Sequence, residues 1–268
     1  MKRLETRDQM IFNAAASIKD NSQENLYSRR FRKILNIYGK ERAFSEGVNW
    51  YPNAFNLCQN ISDEFNGAVS PERVAAVIAV TSPQVEWAIN VRKAKEIISY
   101  VLKHGAGFVT NPVAEINEQG EWSAGPWGRG PMDTHPVGPT FPFDEIKLKN
   151  SSNLRAAFNV LIADESNFEQ YVTGPKVTEF FKAMTGDPDA IAVDVIIARA
   201  AGFDSLRSVG NPARRAIQNA IRRIAKEYGQ SPRDTQAAIW VATERQRTMN
   251  PLHEEMGSEP GSFEMGFQ

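Results

Sequence analysis

Helix-start signals recur along this chain and constrain its fold more than any other feature. Ser70-Pro71 and Ser231-Pro232 each place a good N-cap residue before a proline at the first helical position. Between such signals the apolar residues recur at helical spacing, as they do from Val85 to His104. The pattern predicts an almost entirely helical protein, with about ten elements and no internal repeat.

Three regions carry more specific predictions. Residues 2–20 and 24–43 are predicted as two helices, and Ala190–Ala201 as one apolar helix that carries a single acid, Asp194. Residues 105–150 are dense in glycine and proline, and we interpret them as an insertion, because loops of this length inside a domain are usually functional or flexible.

Composition excludes several classes of protein. Hydrophobic residues make up 41% of the 268 residues and charged residues 24%, which are ordinary globular values. The single cysteine, Cys58, excludes an intrachain disulfide and a multi-cysteine metal site. The apolar stretches are too short to span a bilayer, and the charged N-terminus is unlike a signal peptide. We therefore expect a soluble, cytoplasmic protein with no membrane partner.

A Gly-Pro turn between two helical segments carries the chemistry-bearing residues. Gly174 allows close backbone approach, and the amide groups of the helix that follows Pro175 favour phosphate, with Lys176 as an added cation. Asp194 follows in an apolar run, where an acid is costly to bury. We interpret Asp194 either as a helix cap or as a group held for chemistry.

These residues resemble the endonuclease III-like DNA glycosylases of the helix–hairpin–helix superfamily. In that group a glycine-rich hairpin precedes a Val-Asp pair, the bifunctional members carry a lysine that corresponds to Lys176, and the catalytic aspartate corresponds to Asp194. Ser82-Pro83-Gln84 is similar to the segment whose glutamine enters the duplex beside the extruded base. Val172 stands where the family has an earlier glycine.

A closer similarity is to helical glycosylase-like proteins of tailed phages. That group is associated with thymine hypermodification, and its members have been named thymine pyrophosphorylases or amino-acid–DNA transferases. The shared segments are Asn49-Trp-Tyr-Pro-Asn-Ala54, Ser82-Pro83 with Trp87 and Asn90, Gly174-Pro-Lys176, Val193-Asp194 and Gln236-Ala-Ala-Ile-Trp240.

The resemblance implies an all-α, two-lobed glycosylase-like fold with a DNA-binding cleft. Residues 1–249 would form one helical unit, with a middle lobe at about 70–185 that contains the insertion 105–150. The N-terminal helices and residues 190–249 would form the other lobe. We expect residues 250–268 to be a disordered tail, since they are rich in glycine and glutamate.

The resemblance also assigns roles to individual residues. Asp194 would activate the nucleophile, and Lys176 could attack C1′ to form a Schiff base. The hairpin carbonyls would bind a monovalent cation, and no other cofactor or metal is required. The remaining assignments are Gly174, Pro175, Gln84, Ser82 and Arg199 as DNA-binding residues, and Trp87, Asn90 and Tyr51 as the base pocket.

Three functions remain open at this point. The first is glycosylase or glycosylase/lyase chemistry on an extruded, modified pyrimidine in DNA. The second is a phage base-modifying transfer, in which an amine or amino acid displaces pyrophosphate from a 5-pyrophosphomethyl pyrimidine, in the cytoplasm of the host cell. The third is a non-catalytic DNA-binding module. A basic stripe formed by Arg215, Arg222 and Lys226 on one helix face also stays open, because such a pattern is more commonly a solvated helix surface than a binding site.

Overall fold

The structure of the chain is a computed structural model that describes residues 7–104 and 151–249. The predicted insertion 105–150 and the predicted tail 250–268 lie outside the described residues. The described part is all-helical, with no strand in it, so the prediction of an all-α protein is confirmed. Its α-helices are α1 (Arg7–Tyr38), α2 (Lys40–Gly47), α3 (Trp50–Glu64), α4 (Pro71–Thr81), α5 (Trp87–His104), α6 (Ser151–Ile162), α7 (Pro175–Met184), α8 (Val195–Ala201), α9 (Asn211–Tyr228) and α10 (Pro232–Met249).

The two Ser-Pro signals begin helices as predicted. Ser70 Oγ accepts a hydrogen bond from the backbone N–H of Arg73 at 3.4 Å, and Pro71 is the first residue of α4. Ser231 Oγ accepts from the backbone N–H of Asp234 at 3.0 Å, at the start of α10. An N-cap of this kind contributes about 1 kcal/mol to helix stability.

The N-terminal helices differ from the prediction. The sequence predicted a break between residues 20 and 24, whereas α1 runs without interruption to Tyr38. Residues 20–24 include neither glycine nor proline, so nothing there forces the helix to end. The break falls instead at Gly39, whose φ of 96° lies in the left-handed region that favours glycine.

The described residues divide into two compact units, of which the first combines two separated stretches of the chain. The first unit comprises residues 7–55 and 178–249, and the second comprises residues 56–104 and 151–177. The unit boundaries therefore fall inside α3 and α7.

The core of the first unit lies between α1, α8, α9 and α10. Its fully buried side chains include Phe31, Leu35, Ile197, Ile217 and Ile221. Burial of each such side chain contributes about 1.5–3 kcal/mol, and the long helices α1 and α10, which pack against the shorter α8, hold it in place.

The second unit is organised around α4, which packs against α5 and α6 and is buried on nearly every side. Arg73 is buried too, and its guanidinium donates hydrogen bonds to the carbonyl oxygens of Leu161 and Ala163, each at 2.8 Å. A third bond, at 2.6 Å, goes to the carboxylate of Glu165. This cation satisfies the carbonyls at the end of α6, where a helix favours positive charge.

No α-helix in the described ranges combines the length and the apolar character that crossing a membrane requires.

Candidate active site

Asp194 determines where α8 begins. Its backbone is extended, and its Oδ1 accepts hydrogen bonds from the N–H groups of Ile196 at 3.0 Å and Ile197 at 2.9 Å. The predicted helix Ala190–Ala201 is therefore wrong at its start, because residues 190–194 are not helical. The side chain of Asp194 replaces the carbonyls that would otherwise accept from these N–H groups.

The second oxygen of the same carboxylate has a different partner. Asp194 Oδ2 accepts a hydrogen bond from the indole Nε1–H of Trp240, at 2.9 Å. Asp194 and Trp240 are both half-buried, so neither is sealed inside the core. Because hydrogen-bond donors hold both oxygens, the carboxylate has a fixed orientation. Hydrogen bonds of this kind also stabilise a negatively charged carboxylate.

Four aromatic side chains, Trp50, Tyr51, Phe180 and Trp240, form an aromatic cluster beside Asp194. The ring of Trp50 is centred 6.0 Å from that of Trp240, 5.9 Å from that of Phe180 and 4.8 Å from that of Tyr51. Trp50 is half-buried, whereas Phe180 and Tyr51 belong to the interior. The cluster thus pairs a fixed carboxylate with partly accessible aromatic surface.

Tyr51 is 3% exposed and lies inside the first unit. Its hydroxyl donates a hydrogen bond to the side-chain carbonyl of Gln236. Burial, followed by the negative charge of Asp194, raises the pKa of Tyr51 far above its usual range. Tyr51 therefore stays neutral and packs under the site, and its predicted contact with a base stays a prediction.

Helix α9 holds the backbone segment that leads to Asp194. The guanidinium of Arg214 donates to the carbonyl of Val193 at 3.1 Å, and the amide of Gln218 donates to that of Ile191 at 3.2 Å. Residues 214 and 218 are four apart and share one face of the helix. Two hydrogen bonds from one helix therefore fix the non-helical segment that sets the position of the carboxylate.

Arg199 lies in the last turn of α8 and is exposed. It follows Asp194 by five residues, which corresponds to about 7 Å along the helix axis and a different side of the helix. Its predicted contact with DNA stays a prediction.

In the second unit the structure joins two motifs that the sequence offered separately. Gly174 has a φ of 102°, which only glycine adopts readily, and Pro175 then begins α7. The Lys176 ammonium donates a hydrogen bond to the hydroxyl of Ser82, and that hydroxyl donates to the carbonyl of Ala79 at 2.8 Å. The hairpin is thereby bonded to the turn that follows α4.

Gln84 lies in that same turn and is exposed. Its φ is 62°, in the left-handed region that non-glycine residues seldom adopt. Such a conformation costs of order 1–3 kcal/mol and is most often found at functional sites. The turn therefore presents a glutamine side chain two residues from the Lys176–Ser82 bond.

Asn90 and Trp87 lie on α5 in the second unit. Asn90 is 1% exposed; its amide oxygen accepts from the hydroxyl of Thr81 at 2.6 Å, and its amide N–H donates to the carbonyl of Ile78 at 2.9 Å. Asn90 thus ties α5 to the last turn of α4 and supports the turn that carries Ser82. Trp87 is half-buried at the first position of α5. Their predicted contacts with a base stay predictions.

Sequence reasoning did not select Trp240 or Trp50 as site residues. The available signal was the spacing of Gln236 and Trp240, which are four residues apart and so lie on one face of α10. In the structure Gln236 contacts Tyr51, and Trp240 contacts Asp194. Both tryptophans occur in segments that carry the phage resemblance, but neither had been given a role.

Within the described ranges, no group of three His, Cys, Asp or Glu side chains is arranged to hold a metal ion. The monovalent cation expected at the hairpin carbonyls stays a prediction.

The described residues define an all-helical protein with a capped, donor-bound carboxylate in its first unit. The chain matches the model of a family of unknown function, DUF7178, over residues 16–118 and 144–247, and it belongs to that family. The matched residues include Asp194, Trp240 and the Lys176 hairpin. No curated protein matches the chain, and no solved structure does.

Proposed function

We propose that this chain is a DNA-acting enzyme that works on an extruded, modified pyrimidine by glycosylase-type chemistry, with Asp194 as its catalytic carboxylate. The observation that supports this most strongly is the geometry of Asp194, whose two oxygens are held by the α8 amides and by Trp240. A carboxylate fixed in advance needs little reorganisation when positive charge develops on a substrate.

In the proposed reaction, the bond between the sugar C1′ and the base breaks, and its electron pair leaves with the base. Water adds to C1′, and Asp194 accepts the proton that the water loses; the departing base anion takes up one proton in turn, so that charge is balanced. The negative charge of Asp194 also offsets the positive charge that develops on the sugar. Free base and an abasic site are the products.

The aromatic cluster supports the assignment to an extruded base. Extrusion from a duplex costs a few kcal/mol, and stacking on aromatic side chains offsets part of this cost. Trp50 and Trp240 are the half-buried members of the cluster, and Trp240 is also hydrogen-bonded to Asp194. We assign stacking on the base to these two tryptophans.

The second unit supplies residues for the DNA backbone and for the gap in the duplex. Lys176 lies beside the α7 N-terminus, where amide groups favour phosphate. Gln84 is exposed in a strained turn that is bonded to Lys176 through Ser82. We assign Gln84 to the space that the extruded base leaves.

For the predicted Schiff base at Lys176, borohydride should trap a covalent adduct between wild type and DNA that Lys176→Gln does not form.

A non-catalytic DNA-binding module is the second candidate, and one observation favours it. Asp194 Oδ1 caps α8, which gives the acid a structural role without any reaction. The two candidates differ in what they do to a bound duplex, because only the enzyme changes the nucleoside content of the DNA.

Nucleoside mass spectrometry tests the proposal. The full chain is incubated with duplexes that contain 5-substituted pyrimidines, with and without small amines and amino acids. We expect free modified base and abasic sites. A heavier, intact nucleoside would contradict base excision and indicate group transfer. DNA binding with unchanged nucleosides in every duplex would contradict both reactions and support the non-catalytic DNA-binding module.

A further inference from the structure

Helix α9 carries five basic side chains and a single acid, and some of these groups are engaged within the protein. Arg214 donates to the carbonyl of Val193. Arg223 contacts Asn25 and Glu24. Glu227, the only acid of the helix, pairs with Arg32 at 2.7 Å. These contacts leave three basic side chains for another role.

The other three, Arg215, Arg222 and Lys226, are exposed. Together with Asn219 they are spaced by four, three and four residues, so they follow one face of α9 for about 16 Å. Within residues 22–103, 152–206 and 208–246, where side chains are described, no acidic side chain forms an ion pair with any of the three, and Arg222 donates a hydrogen bond to Asn219 at 3.4 Å. We call Arg215, Asn219, Arg222 and Lys226 the basic face.

A concavity of about 260 Å³ lies on this face. It is lined by Pro212, Arg215, Ala216, Gln218, Asn219 and Arg222. Two guanidinium groups and two side-chain amides thus surround one hollow near the N-terminal end of an 18-residue helix. The N-cap residue is glycine, Gly210, and the helix dipole adds positive potential at the first turn, beside Pro212.

From these observations we infer that the basic face of α9 binds the phosphodiester backbone of DNA, with one phosphate in the concavity between Arg215 and Arg222. Guanidinium groups bind phosphate through paired N–H donors, and side-chain amides bind phosphate oxygens as well. The length of the face exceeds what one small anion needs and suits successive phosphates of a strand, with Lys226 on a further one. The inference rests on the proposed function for its choice of DNA as the polyanion.

Gln218 connects this binding site to Asp194. It lines the concavity, and it donates a hydrogen bond to the carbonyl of Ile191, three residues before Asp194. Backbone binding at the basic face would therefore occur next to the segment that positions the carboxylate. Phosphate contacts of this kind set the register of a protein on DNA and do not read its sequence.

The salt dependence of DNA binding tests the inference. The full chain is titrated with an unmodified duplex at several salt concentrations between 50 and 200 mM. For the double variant Arg215→Gln/Arg222→Gln, we expect the slope of log Kobs against log salt to become less steep by about 1 unit, because the two arginines together neutralise one phosphate.

Arg223→Gln is the control for the loss of one positive charge and is compared with Arg215→Gln and Arg222→Gln singly, because it removes an arginine from the same helix at a residue engaged with Glu24 and Asn25. We expect it to leave the slope unchanged. An unchanged slope in the double variant, with circular dichroism equal to wild type, would overturn the inference. So would an equal change in the slope of Arg223→Gln, because general charge would then explain the effect.

The same samples separate this inference from the proposed function. If wild type releases base and the double variant keeps the wild-type slope, the inference fails and the enzyme remains. If the slope changes as expected but wild type releases no base from any duplex, the binding site stands and the catalytic proposal fails.

Discussion

Asp194 has two structural partners, the first turn of α8 and the indole of Trp240, and each holds a different oxygen. The sequence indicated an acid in an apolar run and left its role open between a cap and a catalytic group. The cap was recognisable because aspartate is a common N-cap. The hydrogen bond to Trp240 was not recognisable from the sequence, because it joins residues 46 positions apart on different helices.

The indole bond can be removed without loss of the ring. We expect Trp240→Phe to lower the free energy of unfolding by about 1 kcal/mol, because a half-buried carboxylate oxygen loses a charge-assisted donor. Urea denaturation followed by circular dichroism measures the change, with the m-value expected to stay constant. If the proposed reaction occurs, this variant should also lower kcat with little effect on KM, because the carboxylate loses its fixed orientation. A Trp240→Phe variant with both the stability and the kcat of wild type would contradict the structural role given to Trp240.

Cys58 provides a pH-dependent test at the residue scale. It is fully buried, and burial followed by the negative charge of Glu72 raises the pKa of its thiol to about 12. Because the folded pKa exceeds the ordinary value of 9.0, the thiol's contribution to stability is fully present below pH 9 and is lost as pH rises toward 12.

Comparison of wild type with Cys58→Ala isolates that contribution. We expect the difference in unfolding free energy between the two proteins to shrink by about 1 kcal/mol from pH 8 to pH 10, since the unfolded thiol ionises in that range. Urea titrations at each pH measure it. A difference that is constant with pH would show that the folded thiol ionises normally.

At the scale of elements, the sequence predicted where a helix begins or ends at the positions where a particular residue type favours that boundary. The Ser-Pro starts of α4 and α10 follow from local chemistry, as does the turn at Gly174. The continuity of α1 could not be predicted, because polar residues are tolerated in a helix that packs on only one side. The Lys176–Ser82 bond was equally hidden, since it depends on how two distant turns meet.

The turn after α4 yields a test in which stability and function move in opposite directions. We expect Gln84→Gly to raise the free energy of unfolding by about 1 kcal/mol, because glycine relieves the left-handed strain at a φ of 62°. The same change should reduce base release, since no side chain then fills the duplex. Thermal unfolding and base release, measured on one preparation, test both parts.

Asn66→Gly is the control for that variant. Asn66 is exposed, lies in the same unit and has a φ of 54°, but it belongs to the turn after α3 and has no assigned role. We expect a smaller gain in stability, because asparagine tolerates this region, and unchanged base release. Equal loss of activity in the two variants would show that Gln84 has no specific function.

At the scale of the whole molecule, the first compact unit combines two separated stretches of sequence, residues 7–55 and 178–249. The resemblance predicted two helical lobes, with a middle lobe at about 70–185. Helical periodicity identifies the elements but does not state which of them share a core. The pairing of α1 with α9 and of α2 with α10 arises from tertiary packing that no local pattern encodes.

The discontinuous first unit predicts the behaviour of a fragment. Residues 178–268 contain α8, α9 and α10 but lack α1, which contributes Phe31 and Leu35 to their core. We expect this fragment to lose its helical circular dichroism signal and its cooperative thermal unfolding. Without α1, the apolar core side chains of α8, α9 and α10 would form a large surface exposed to water, which destabilises the fold. A sharp unfolding transition with native helicity would contradict the assignment of α1 to this unit.

The central claim is that Asp194 acts as a catalytic carboxylate and not only as a helix cap. Asp194→Asn separates these roles, because the asparagine oxygen still caps α8 without a charge; its amide group cannot accept the Trp240 N–H, and Trp240→Phe measures that loss alone. Single-turnover base release should fall by at least about 100-fold, within the range of a catalytic acid–base group, while duplex binding stays at the wild-type level. Asp187→Asn, at another acid of the first unit whose side chain accepts from a backbone N–H, should release base at the wild-type rate. Wild-type turnover by Asp194→Asn would contradict the claim and leave Asp194 as a cap alone.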